Sequence, residues 1–331
     1  LARATSPRFA PRSREASLAP SNGSIWSNIT LQAGAMTRQG QIMAAEQGLA
    51  SRRAALAVLE AVVAAGQPLD AALEMVHAEA RLDPRDRSLV RQLVATVLRR
   101  QGEIDTLIKR CLDRPLPAKA QAARLILALG AAQLFYLDIP DHAAIATSVD
   151  LAAGDRRARV RGFKSLVNAV LRRLTREGRG WQQQLDHERL ALPGWLWQRW
   201  CAAYGEATTR ATARVILAPP PLDLTPRDAA ARAWMLQHMP AARLLPQGSL
   251  RLHDAGPVEA LPGYHDGLWW VQDAAAALPA QLLAPRPGDA VLDLCAAPGG
   301  KTMQLAAMGA RVTAIEASAA RLDRLRQNLN R

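Results

Sequence analysis

Near the carboxyl terminus, Cys295, Ala296, Ala297, Pro298, Gly299, Gly300 and Lys301 stand between a short apolar run and a helix-compatible one, and an acid, Glu316, closes the next apolar run. Small residues and paired glycines let backbone N–H groups approach a ligand closely. In an open α/β sheet, a loop leaving the carboxyl end of a strand is where small molecules bind, and an acid at the end of the following strand can accept hydrogen bonds from both ribose hydroxyls. The pattern therefore suits an adenosine-type ligand. A phosphate-binding loop would need glycine where Cys295 stands, and the dinucleotide fingerprint fails because Gly299 and Gly300 are adjacent. A ligand without phosphates, such as S-adenosylmethionine, fits what remains; a turn that binds nothing is the alternative.

The elements that would position these residues are short. Residues 291–294 read as a buried strand and 302–308 as a helix, Gly309 stops that helix, and 311–315 read as the next strand. Ser318 suits an N-cap, after which Leu322, Leu325 and Leu329 give a further helix one apolar face.

The run LDLCAAPGGKT, with Val271-Gln272-Asp273 upstream, resembles the cofactor-binding motif of RNA cytosine-C5 methyltransferases of the RsmB/Sun (Fmu) and NOP type. The resemblance implies a Rossmann-type domain in which residues 295–301 wrap S-adenosylmethionine and Glu316 holds its ribose, at a place where the family most often has Asp. Cytosine C5 is a poor nucleophile, so its methylation calls for a thiolate that adds to C6 and a base that removes the C5 proton. Cys295 belongs to the loop, and Cys111 and Cys201 lie upstream with no adjacent base, so no catalytic residue is assigned within the chain. In the family the nucleophile sits in a Thr-Cys motif and a second cysteine in a Pro-Cys motif, both expected beyond Arg331. The strands and helices after residue 271 also fall short of the roughly five or six strands of a doubly wound sheet. The expectation is a truncated, inactive methyltransferase domain.

A net charge of +13 and a pI near 10.9 call for an anionic partner. Without an apolar run of about 18 residues to span a bilayer, nucleic acid is favoured over a membrane. Three scattered cysteines support neither a disulfide framework nor a metal site, and a reducing cytoplasm suits them.

Residues 1–50, rich in Ala, Ser, Arg and Pro, show no sustained period and read as a disordered leader. A translated segment upstream of Met36 or Met43 explains them better than a targeting peptide. Residues 51–179 read as all helix, with turns at Gly66-Gln67-Pro68, Asp83-Pro84, Arg114-Pro115-Leu116-Pro117 and Ile139-Pro140-Asp141. The last helix carries an apolar stripe of Phe163, Leu166, Val167, Val170, Leu171 and Leu174. On its other side Arg161, Lys164, Asn168 and Arg172 recur, after Arg156, Arg157 and Arg159 with no intervening acid. Such a stripe can neutralise RNA phosphates independently of sequence. The segments at Asp86-Arg87-Ser88-Leu89-Val90, Ile139-Pro140-Asp141-His142-Ala143-Ala144 and residues 163–173 resemble the NusB-type RNA-binding domain, which also begins RsmB-type enzymes. His142 reads as structural.

Residues 180–270 read as a small α/β linker subdomain. Leu196, Trp200 and Tyr204 suggest aromatic core packing in preference to base stacking, followed by strands at 222–225 and 249–253 around a helix at 228–239. The expected protein is multi-domain: an all-α NusB-like domain, a linker subdomain, and from residue 271 an incomplete α/β Rossmann-type domain. Its expected activity is S-adenosylmethionine-dependent methylation of cytosine C5 in 16S ribosomal RNA. A non-catalytic NusB-type antitermination module is the competing expectation, and the glycine missing at Cys295 argues against a nucleotide triphosphatase.

Overall fold

The computed structural model describes residues 38–253 and 255–331, with side chains from residue 48 onward, and divides between Leu185 and Asp186 into two compact units. The disorder expected of the leader lies outside the described residues for 1–37 and is corrected for 38–50. Helix α1 (Arg38–Val63) already runs through that stretch, whose Ala, Gln, Glu and Leu residues are good helix formers.

The first unit is all helix. After α1 come α2 (Leu69–Ala80), α3 (Pro84–Arg99), α4 (Gln101–Arg110), α5 (Gln121–Tyr136), α6 (Asp141–Ala153), the single turn α7 (Ala158–Arg161) and α8 (Lys164–Gln182). The turn signals act as expected: Asp83 accepts the N–H of Asp86 and Pro84 opens α3, while Pro68 and Pro140 precede α2 and α6. Helix α5 is the axis of the unit, buried from Ala122 to Leu134 except at Arg124, and it touches α1, α3, α4, α6 and α8. Its Gly130 lets α8 approach closely, since a Cβ there would lie 2.7 Å from Leu171 Cδ1. Trp181 and Leu185 pack on this core, so the unit reaches past the expected boundary at residue 179.

The second unit opens with α9 (His187–Leu190), α10 (Gly194–Tyr204) and α11 (Glu206–Leu217). Trp197 is the buried anchor, flanked by the guanidinium groups of Arg189 and Arg210 at 5.3 and 5.2 Å from its ring. Trp195 and Tyr204 are exposed, which corrects the expectation for Tyr204: it is the last residue of α10, before Gly205 turns the chain at φ 83°.

An antiparallel sheet follows, ordered β2-β3-β1-β4, from β1 (Leu222–Pro226), β2 (Arg243–Leu244), β3 (Leu250–Leu252) and β4 (Trp269–Val271), with α12 (Ala229–His238) capped by Asp228. Its core is Leu224, Met235, Met239, Leu250, Leu252 and Trp269. Pairing of Leu224 with Val271 carries this sheet across the expected boundary at residue 270. Asp223 is held by Arg251 at 2.7 Å through both carboxylate oxygens. Helix α13 (Ala274–Leu283), capped by Asp273, then leads to the parallel pair β5 (Ala290–Asp293) and β6 (Arg311–Ala314), joined by α14 (Gly300–Ala307) and followed by α15 (Ala319–Asn330). Ser318 caps α15, Leu325 is buried, and Leu329 is exposed. Among the described residues no helix is long and apolar enough to cross a membrane, and no group of three His, Cys, Asp or Glu side chains could hold a metal ion.

Candidate functional site

Strand β5 ends at Asp293, and the chain bends through Cys295, Ala296, Ala297, Pro298 and Gly299 into α14. Gly299 occupies the N-cap at φ 110°, a conformation that strains any side chain, and a Cβ there would lie 2.6 Å from Leu325 Cδ1. The first N–H groups of α14 consequently have no side-chain cap. Donors aimed out of a helix terminus suit an anion such as a carboxylate.

Hydrogen bonds from neighbouring elements pin the bend. Ala296 N–H donates to Ile315 O at 3.1 Å, Arg321 Nη2 to Ala297 O at 2.6 Å, and Asn328 Nδ2 to Pro298 O at 2.8 Å. At the base of the bend Thr302 Oγ1 donates to Asp293 Oδ2 at 2.7 Å. Ala296 and Ala297 are buried against Leu325, so they can meet a ligand only through their backbone, whereas Cys295, Pro298 and Lys301 are exposed.

Glu316 follows β6 and turns toward the bend. Its Oε2 accepts Ala297 N–H at 3.3 Å and its Oε1 accepts Ser318 N–H at 3.0 Å, with Arg321 Nη1 at 3.6 Å. The Ser318 N–H, then the Arg321 charge and the Ala297 N–H, hold this carboxyl below the usual glutamate range. A carboxylate held ionised in this way is an acceptor of the kind a ribose hydroxyl needs.

The bend and Glu316 are thus brought together as the sequence predicts. Arg321 and Asn328 were not anticipated, although Arg321, Leu325 and Asn328 share one helical face at i, i+4 and i+7, a signal that could have found them.

The basic stripe is only partly assembled. Arg161 lies on α7, not α8, and its Nη1 donates to the carbonyls of Asp155 and Arg156 at 2.9 Å. Arg157 is held by Asp155 and Glu60, at 2.7 and 2.8 Å. No acid interrupts Arg156, Arg157 and Arg159 in sequence, but the fold brings Glu60 of α1, with the adjacent Asp155, to Arg157. The Arg157 hydrogen bonds in turn hold the Asp155 carboxyl below its usual range. Arg172 donates to Asn168 at 3.1 Å. Arg156, Arg159 and Lys164 are exposed and leave their charge toward solvent.

Cys111 is half-buried, and burial pushes its thiol up to about 11, opposite to what a thiolate nucleophile needs.

Residues 49–176 match the NusB family, and residues 280–331 match the family described as 16S rRNA methyltransferase RsmB/F. The chain is 36% identical over 313 residues to the ribosomal RNA small subunit methyltransferase B of Xanthomonas campestris pv. campestris, covering 88% of this chain and 67% of that protein. It is 34% identical over 273 residues to the probable ribosomal RNA small subunit methyltransferase B of Synechocystis sp., covering 78% of this chain and 60% of that protein. The crystal structure of PH0851 shares the fold at a TM-score of 0.61 and 18% identity, over 84% of this chain and 66% of that one. The chain therefore spans about two thirds or less of the length of these relatives.

Proposed function

We propose, for a chain that belongs to the 16S rRNA methyltransferase RsmB/F family, that it supplies the RNA-binding unit and the cofactor bend of an S-adenosylmethionine-dependent methyltransferase acting on cytosine C5 of 16S ribosomal RNA. The observation that carries this reading is Glu316: its ionised carboxylate is turned to the bend and stands with the uncapped start of α14 around the same short loop. A ribose diol asks for the first and an amino-acid carboxylate for the second.

S-adenosylmethionine, when bound, would supply an electrophilic methyl group. The chain's own residues orient it: Glu316 accepts the ribose hydroxyls, the backbone of residues 295–301 lines the pocket, and the N–H groups that open α14 receive the carboxylate. Arg321 and Asn328 fix the carbonyls of Ala297 and Pro298 and so keep the bend open. Methylation of C5 further needs a low-pKa cysteine, and Cys111, with its thiol pushed up to about 11, is unsuited. RNA is held through phosphates by the free cations Arg156, Arg159 and Lys164, with Arg157, Arg161 and Arg172 shaping the same face. A substrate of this kind makes the cytoplasm the working compartment.

Calorimetry tests the cofactor assignment: S-adenosylmethionine should bind, and ATP should not. A second reading, a NusB-type RNA-binding module without catalysis, draws on the same free cations. RNA binding with no heat from S-adenosylmethionine would favour it.

A further inference from the structure

Behind the bend lies a chain of buried side-chain amides. Trp270 Nε1–H donates to Gln272 Oε1 at 2.9 Å, Gln272 Nε2 donates to Gln304 Oε1 at 3.0 Å and to Ala276 O at 3.3 Å, and Gln304 Nε2 donates to Ala277 O at 3.0 Å. Trp270, Gln272 and Gln304 are 5%, 6% and 4% exposed, so water does not stand in for a missing partner.

The chain has a direction. An indole nitrogen can only donate and a backbone carbonyl can only accept, so with Trp270 at one end and Ala277 at the other, each glutamine amide has one satisfying orientation. Reversing either amide sets like atoms against each other at a buried site, which is costly. The relay therefore locks rotamers as well as filling space. It joins β4, which pairs with β1, to α13 and to α14, the helix that opens at the bend. The stem of Gln272 also lies directly under the bend: a Cβ on Gly300 would come within 3.2 Å of Gln272 Cγ.

We infer that Gln272 and Gln304 are positioning residues for the cofactor bend, setting where α14 begins relative to β4 while leaving ligand contact to other groups. The inference rests on the reading of residues 295–301 as the cofactor loop, but its first test needs no cofactor. Hydrogen exchange of the α14 amides that follow the loop is measured in the full chain. Gln272→Met and Gln304→Met remove the amides at similar length, and protection at the N–H groups of Met303 and Gln304 should fall by about tenfold with the melting temperature of the first unit unchanged. Unchanged protection in both variants overturns the proposal.

Should either variant fail to fold, Gln272→Glu decides the matter within one protein. Its carboxyl, raised in pKa by burial, can donate to Gln304 Oε1 when protonated and repels it when ionised. Protection, corrected for intrinsic exchange, should be near that of the parent at about pH 5.5 and should vanish at about pH 8.5, while the parent shows no such change. A Gln272→Glu loop indifferent to pH overturns the relay. Calorimetry then separates the two claims. An unmodified chain that does not bind S-adenosylmethionine sinks the cofactor reading, and loop protection that responds to these substitutions still upholds the relay.

Discussion

Glu316 Oε2 accepts the backbone N–H of Ala297 at 3.3 Å, tying the acid that follows β6 to the bend that follows β5. On the proposed reading, ligand affinity and loop shape depend on one carboxylate. Glu316→Gln keeps the size and one accepting oxygen but loses the charge, and should weaken S-adenosylmethionine by about tenfold or more in calorimetry.

The same carboxyl sets a pH dependence. Its folded pKa lies below the unfolded value, so its contribution is fully present above the ordinary glutamate range of about 4.3 and is lost as pH falls through the lower folded value. Affinity titrated toward acid should stay level through the ordinary glutamate range of about 4.3 and fall only below it, as the folded protein takes up the proton. An identical acid limb in Glu316→Gln would assign the effect to another group.

Close approach of α5 and α8 at Gly130 offers a test of the first unit. Gly130→Ala drives a Cβ to within 2.7 Å of both Leu171 methyl carbons and 3.0 Å of Ser148 Oγ. Overpacking of this kind should cost about 1–3 kcal/mol in denaturant unfolding, and a neutral result would mean that the helices can separate cheaply.

Cys295 is exposed, whereas the Cys111 thiol is pushed up to about 11. A thiolate-selective reagent near neutral pH should mark Cys295 well ahead of Cys111 in peptide mass spectra, and S-adenosylmethionine should slow the labelling of Cys295. Equal labelling of both would contradict the burial of Cys111.

On the basic face the free and the held cations should behave differently. Arg159→Glu and Lys164→Glu should lower RNA affinity and flatten its salt dependence, each phosphate left without its cation reducing the slope by about 0.7–0.9. Arg157→Gln breaks the ion pairs to Asp155 and Glu60 and should leave that slope nearly unaltered. A filter-binding series across salt concentrations distinguishes the cases.

Local patterns made much of this legible. The strand, bend and helix around Cys295 to Lys301 are one short-range unit, and the proline and aspartate signals before α2, α3 and α6 acted where they stood. What depended on distant partners was hidden. Glu60 reaches Arg157 from α1, far away in sequence, and so removes a cation that the local charge pattern left free. Strand β4 is three residues long and is stabilised by its pairing with β1, so its sequence carries little periodicity to read. Gln272 and Gln304 look unremarkable until the fold brings their amides to 3.0 Å. Tyr204 followed the helical period of α10 and still faces outward, because Gly205 ends the helix beside it.

Helix α5 has almost no wet side between Ala122 and Leu134. Water can reach its backbone only after the surrounding helices part, so it has no route for fraying inward from a solvated flank. Its amides should be the slowest clock in the first unit, ticking at the rate of whole-unit opening.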